Sequence, residues 1–164
     1  MLTGLSVDYF PMLETIDVAY LVGLTGSALN LRNNKYLRKV YAEGTRLTTL
    51  QLPEGGVLEE VCAPQTLTNL SIVNHNKLSN LTIEGNSWNK LDEMHVQGSP
   101  NLDTLDIFSK VNPHIKIYLP DLDWHLDQEK YSVQDGLIVE IPIIQKLLEC
   151  HGIDGTPACG IDKN

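Results

Sequence analysis

Along most of this chain a short pattern recurs: an apolar residue, two variable ones, an apolar residue, one variable, an apolar residue. It reads Leu13-x-x-Ile16-x-Val18, Leu37-x-x-Val40-x-Ala42, Leu47-x-x-Leu50-x-Leu52 and Leu58-x-x-Val61-x-Ala63. It continues through Leu67-x-x-Leu70-x-Ile72, Leu78-x-x-Leu81-x-Ile83, Leu91-x-x-Met94-x-Val96 and Leu102-x-x-Leu105-x-Ile107. The last three positions of each motif alternate in, out, in, which is the period of a strand with one buried face. Self-similarity at a short, regular spacing predicts a solenoid.

Alternate motifs fall into two tracks. The first runs Leu5-Val7, Leu29-Leu31, Leu50-Leu52, Leu70-Ile72, Met94-Val96 and Ile115-Ile117. The second runs Ile16-Val18, Val40-Ala42, Val61-Ala63, Leu81-Ile83 and Leu105-Ile107. The two tracks lengthen and shorten together, as coils of variable length would. The reading is mainly β: a right-handed solenoid of about five coils, each giving one strand to each of two short parallel sheets. Strands this short cannot bury an apolar face alone, and stacking joins them into one Leu/Ile/Val ladder.

Turn residues separate the tracks: Glu43-Gly44-Thr45, Glu54-Gly55-Gly56, Asn74-His75-Asn76, Glu84-Gly85-Asn86 and Gly98-Ser99-Pro100-Asn101. They are too short for helices. Pro53 and Pro64 follow strands and should end them.

On these motifs the chain resembles the leucine-rich-repeat superfamily, in its short-coil, BspA-like variety with strands on both sides. The likeness covers residues 2–118. It departs from the consensus in that no Asn ladder follows the strand; Pro53, His75 and Ser109 fall nearby instead. Segments such as Leu78-Ser-Asn-Leu-Thr-Ile-Glu-Gly85 and Ala63-Pro-Gln-Thr-Leu-Thr-Asn-Leu-Ser-Ile72 also look like repeat modules of gut bacteriophage structural proteins. That second resemblance implies a virion, tail or host-contact role and brings no catalytic residues.

The rhythm breaks after Ile117, which divides the chain into a solenoid at 1–118 and a C-terminal part at 119–164. Pro142 suits a first helical turn and Gly152 a helix stop, and Ile143, Ile144, Leu147 and Leu148 share one face. A helix over 142–151 is therefore expected as a cap, followed by an open tail. Trp124 should anchor that cap and Trp88 should plug a long coil. The first motif begins without an amphipathic cap, which points to a fragment or to a subunit docked end-on, by another protein or a second copy.

The chain has 164 residues and a formal net charge of −9. That charge disfavours nucleic acid and anionic membranes as partners. No apolar run is long enough to span a bilayer and no signal peptide is visible, so localisation is open, with a virion or cell surface favoured. Cys62, Cys150 and Cys159 are too few for a disulfide scaffold, although Cys150 and Cys159 could pair.

Catalytic and metal signatures are weak. His75, His95, His114, His125 and His151 stand in no zinc motif, and Cys150, His151 and Cys159 lack a supporting spacing. Asp121-x-Asp123-x-x-x-Asp127 lacks the glycine and terminal Glu of an EF-hand loop. Cys62 should point outward with no base supplied by a motif. No enzyme activity, cofactor or metal is expected.

Solenoids act through broad faces. The outward row of the first track is small and polar: Ser6, Asn30, Gln51, Ser71, His95, Lys116. The second track adds aromatic and acidic side chains, and Asp17, Tyr41, Glu43, Thr82, Glu84, Asp106 and Phe108 form the candidate interaction face. The expected role is a non-enzymatic structural or recognition module in a larger assembly, foremost a bacteriophage virion protein contacting other proteins. The alternatives are a BspA-like surface adhesin binding host protein or glycan, and a small acidic intracellular inhibitor.

Overall fold

A computed structural model describes residues 2–84, 90–107, 116–118 and 131–133. Among them every strand pairing is parallel, and the chain forms a mainly β solenoid of about four turns. The repeat suggests about five coils, and the five second-track strands from Thr15–Asp17 to Thr104–Ile107 enclose four full turns. The helix expected at 142–151, and Trp88 and Trp124, also lie outside them.

The second track forms one six-stranded sheet. Its members are β2 (Thr15–Asp17), β5 (Lys39–Tyr41), β7 (Glu60–Pro64), β9 (Asn80–Glu84), β11 (Thr104–Ile107) and β13 (Tyr131–Val133), in that spatial order. The register sets Ile16 opposite Val40, Val40 opposite Val61, Val61 opposite Leu81 and Leu81 opposite Leu105. This is the alignment the repeat predicts. One strand was not foreseen: β13 pairs with β11, Leu105 opposite Tyr131, beyond the point where the repeat was read as stopping. Its Tyr-Ser-Val lacks the leading Leu that marks the other motifs.

The first track is more broken. β1 (Leu5–Ser6) pairs with β4 (Leu29–Asn30), and single bridges join Asn30 to Gln51 and Thr49 to Asn69. Then β8 (Asn69–Ser71), β10 (Glu93–His95) and β12 (Lys116–Tyr118) form a three-stranded sheet. Here the sequence alignment needs one correction. Met94 lies opposite Ile117, not Ile115, so His95 faces Tyr118 where Lys116 was expected. A slip of two residues keeps every side chain on its own face, so hydrophobicity cannot distinguish Ile115 from Ile117. A third, minor ladder pairs β3 (Thr25–Gly26) with β6 (Arg46–Leu47) at one corner.

Between the sheets runs one continuous core. Leu29, Leu31, Val40, Leu47, Leu58, Val61, Ile72, Leu78, Leu81, Leu91 and Met94 are fully buried within it. At about 25 cal/mol per Å² of apolar surface removed from water, these inward rows supply the main drive to stack.

Candidate functional site

In the corner that follows the first track, three coils carry a buried polar side chain three residues beyond the final inward residue, and a fourth has glycine there. Asn34 follows Leu31, Gly55 follows Leu52, His75 follows Ile72 and Ser99 follows Val96; Asn34, His75 and Ser99 are fully buried. Each reaches back to the preceding coil. Asn34 Nδ2 donates to the carbonyls of Val7 at 3.2 Å and Phe10 at 2.8 Å. His75 Nε2 lies 3.1 Å from the Pro53 carbonyl. The Ser99 hydroxyl accepts from the His75 amide and donates to the Ile72 carbonyl, both at 3.4 Å. Asn, His and Ser at one repeat position make no recognisable ladder in the sequence; only their shared spacing links them. Burial lowers the pKa of His75, opposed by its bond to Pro53. The corner is a structural clasp, since Asn34, His75 and Ser99 are turned inward and bond backbone of the preceding coil.

The face expected to carry recognition lies on the six-stranded sheet. Asp17, Tyr41, Cys62, Thr82 and Asp106 occupy successive strands in register, so the structure brings this row together. Cys62 is half-buried on the outward row. Glu84 lies opposite Pro64 at the end of β9. Phe108 falls outside the described residues.

Much of this face is already bonded internally. Lys39 Nζ lies 3.1 Å from Glu60 Oε2, and the Tyr41 hydroxyl donates to the same oxygen at 3.0 Å. Beside them Arg38 grips Glu59 Oε1 through Nε at 3.1 Å and Nη2 at 2.8 Å. The hydrogen bond that Lys39 donates to Glu60 raises the pKa of Lys39, and burial followed by Glu60 raises that of Tyr41. Arg38 lowers the pKa of Glu59. The Asp17 carboxylate accepts the Ala19 amide at 3.0 Å, which blunts the open edge of β2. Glu43 holds one carboxylate oxygen, Oε2, shielded from solvent with no hydrogen-bond partner.

The opposite face differs. A shallow cleft of about 240 Å³ lies over the third and fourth coils, lined by Arg32, Thr49, Gln51, Pro53, Asn69 and Ser71 among others. Arg32, Lys35, Pro53 and Glu54 border a second, adjoining recess of about 370 Å³. One strand further along, the rings of His95 and Tyr118 stack with centroids 4.3 Å apart and planes 7° from parallel. Glu93 Oε2 lies 3.6 Å from His95 Nε2.

A third feature lies on the first two coils, where Tyr9, Phe10, Met12, Tyr20, Val22 and Tyr36 are large, apolar and exposed. Among the described residues no group of His, Cys, Asp and Glu is placed to hold a metal ion, and no helix is long and apolar enough to cross a membrane. His114, His125, His151, Cys150, Cys159 and the Asp121–Asp127 segment lie outside those residues.

No family model matches the chain, and no characterised protein or solved structure matches it.

Proposed function

We propose that the chain is a non-enzymatic recognition module of the leucine-rich-repeat type, holding protein partners within a larger assembly. The setting that fits it best is a bacteriophage virion. One observation carries the reading: Asp17, Tyr41, Cys62, Thr82 and Asp106 stand in register on successive strands of one sheet. Around it, Lys39, Glu60 and Tyr41 are fixed in place by their own hydrogen bonds. A surface whose charged side chains are already ordered loses little entropy when a partner covers it. Tyr41 supplies the aromatic area that anchors protein contacts. The acidic Asp17, Glu43, Glu84 and Asp106 select a partner of complementary, basic character.

The test is the chain's native setting. The complete reading frame and its neighbours are read first, and Lys39 is then cross-linked in purified particles. A frame among capsid and tail genes, with Lys39 cross-linked to another particle protein, supports the proposal. A frame among unrelated genes, with the chain missing from particles, overturns it.

A further inference from the structure

We propose that the cleft over the third and fourth coils is a carbohydrate-binding subsite that takes one or two rings of a neutral sugar. This goes beyond the protein-contact role above and uses the opposite face of the solenoid.

The two faces dispose of their polar groups in opposite ways. On the six-stranded sheet, Arg38, Lys39, Tyr41, Glu59 and Glu60 are bonded to one another. In the cleft, Arg32, Thr49, Gln51, Glu54, Asn69 and Ser71 line a concave surface; the Arg32 amide bonds Asn30 Oδ1 at 3.1 Å, while their side chains bond no other side chain among the described residues. Unspent donors and acceptors converging in a depression are what a polar ligand requires.

Their chemistry narrows the ligand. Gln51 and Asn69 each offer an amide that donates and accepts, and Thr49 and Ser71 each offer a hydroxyl that does both. Sugar hydroxyls have the same dual character. Arg32 and Glu54 contribute one charge of each sign, so the cleft itself favours neither an anion nor a cation, and the chain's net charge of −9 weighs against anions. Pro53 and Val73 add apolar surface for the C–H face of a ring. A peptide strand would need open backbone, and here the backbone is spent between coils: the Leu31 amide bonds the Gln51 carbonyl and the Ile72 amide bonds the His95 carbonyl.

Shape agrees. Strands in a sheet lie about 4.8 Å apart. Ser71 stands between Gln51 and His95 in the ladder, with Asn69 paired to Thr49 on one side and Ser71 paired to His95 on the other. Its small side chain leaves a gap in the row. His95, stacked on Tyr118, is the next residue along this row beyond Ser71. The volume of about 240 Å³ lies below the range of about 300–1,000 Å³ typical of drug-sized ligands, which fits one or two sugar rings.

The experiment is a titration of the isotopically labelled chain with lactose, maltose, cellobiose and N,N′-diacetylchitobiose, followed by amide NMR shifts. At least one sugar should give saturable shifts at Arg32, Thr49–Gln51 and Asn69–Val73, with those of Lys39–Tyr41 unmoved. Ser71→Trp, which fills the gap, should abolish them, while Thr82→Trp at the matching outward position of the other sheet should leave them intact. If Ser71→Trp fails to fold, Gln51→Leu, which keeps the shape and removes the amide, should weaken binding at least tenfold. The proposal is overturned if no sugar shifts these amides at millimolar concentration. It is equally overturned if the shifts survive both cleft substitutions, or if inorganic phosphate or a triglycine peptide reproduces them.

Discussion

The ring of Tyr20 lies directly against Gly44, its counterpart one coil later, so that a Cβ built on Gly44 would overlap the ring. Both residues sit two positions after the last inward residue of their strand and both adopt left-handed backbone, φ 59° at Tyr20 and φ 68° at Gly44. The Tyr20 amide also donates to the Glu43 carbonyl at 2.8 Å. Gly44→Ala meets two penalties: the left-handed conformation, about 1–2 kcal/mol for a residue with a Cβ, and displacement of the ring. The urea midpoint should fall accordingly. In a Tyr20→Ala background the same change should cost less, and a double-mutant cycle separates the two contributions.

Acid should loosen the corner clasp at His75. The Pro53 carbonyl only accepts, so Nε2 carries the ring proton and Nδ1 is bare, buried and without a partner. Burial holds the folded pKa below the ordinary 6.5, so the unfolded chain takes up a proton first. Stability from this residue is fully present above about pH 6.5 and is lost as pH falls below it. Urea midpoints measured between pH 8 and pH 5 should decline more steeply for the native chain than for His75→Asn, which keeps a donor near Pro53 and does not titrate. Equal slopes would sink the assignment.

Removing the amide of Asn34 should free the first coil. Asn34→Ala leaves the Val7 and Phe10 carbonyls without the side-chain donor that ties them to the second coil. Both carbonyls keep a backbone donor, the Phe10 and Leu13 amides, so each lost bond costs about 0.5–1.5 kcal/mol. Because coils touch only their neighbours, the loss should be local. Hydrogen exchange should quicken at Phe10 and Leu13, whose amides bond within that corner, and leave β9 protected.

Two adjacent residues on β9 offer a sharp contrast. Leu81 is fully buried between Val61 and Leu105, while Thr82 faces outward beside Cys62. Leu81→Ala should cost about 2–5 kcal/mol, the range for a cavity in a packed core. Thr82→Ala should stay within about 0.5 kcal/mol, as surface changes do. Thermal or urea unfolding of the two variants checks both values.

How far the sequence discloses this fold depends on which residues carry the signal. The ladder Ile16, Val40, Val61, Leu81, Leu105 is legible because each member must be apolar and inward, and a slip of one residue would expose it. A slip of two costs nothing in hydrophobicity, so Ile115 and Ile117 are equivalent in the sequence pattern and the His95–Tyr118 stack is hidden. The polar corner is hidden in the sequence because Asn34, His75 and Ser99 share a position and a task but no chemistry. The cleft on the first-track face could not be read at all: it depends on which side chains find partners nearby, as Arg38 does in Glu59 and Arg32 does not.

Coil length varies while the ladder stays in step. From Ile16 to Val40 is 24 residues, to Val61 another 21, to Leu81 another 20 and to Leu105 another 24, with every pairing intact. The corners absorb the difference. The molecule therefore behaves as a ruler graduated in strands: residues gained or lost at a corner leave its length alone, and a duplicated coil lengthens it by about 4.8 Å. A lineage could change its reach by copying a whole coil and its surface by editing corners, each without disturbing the other.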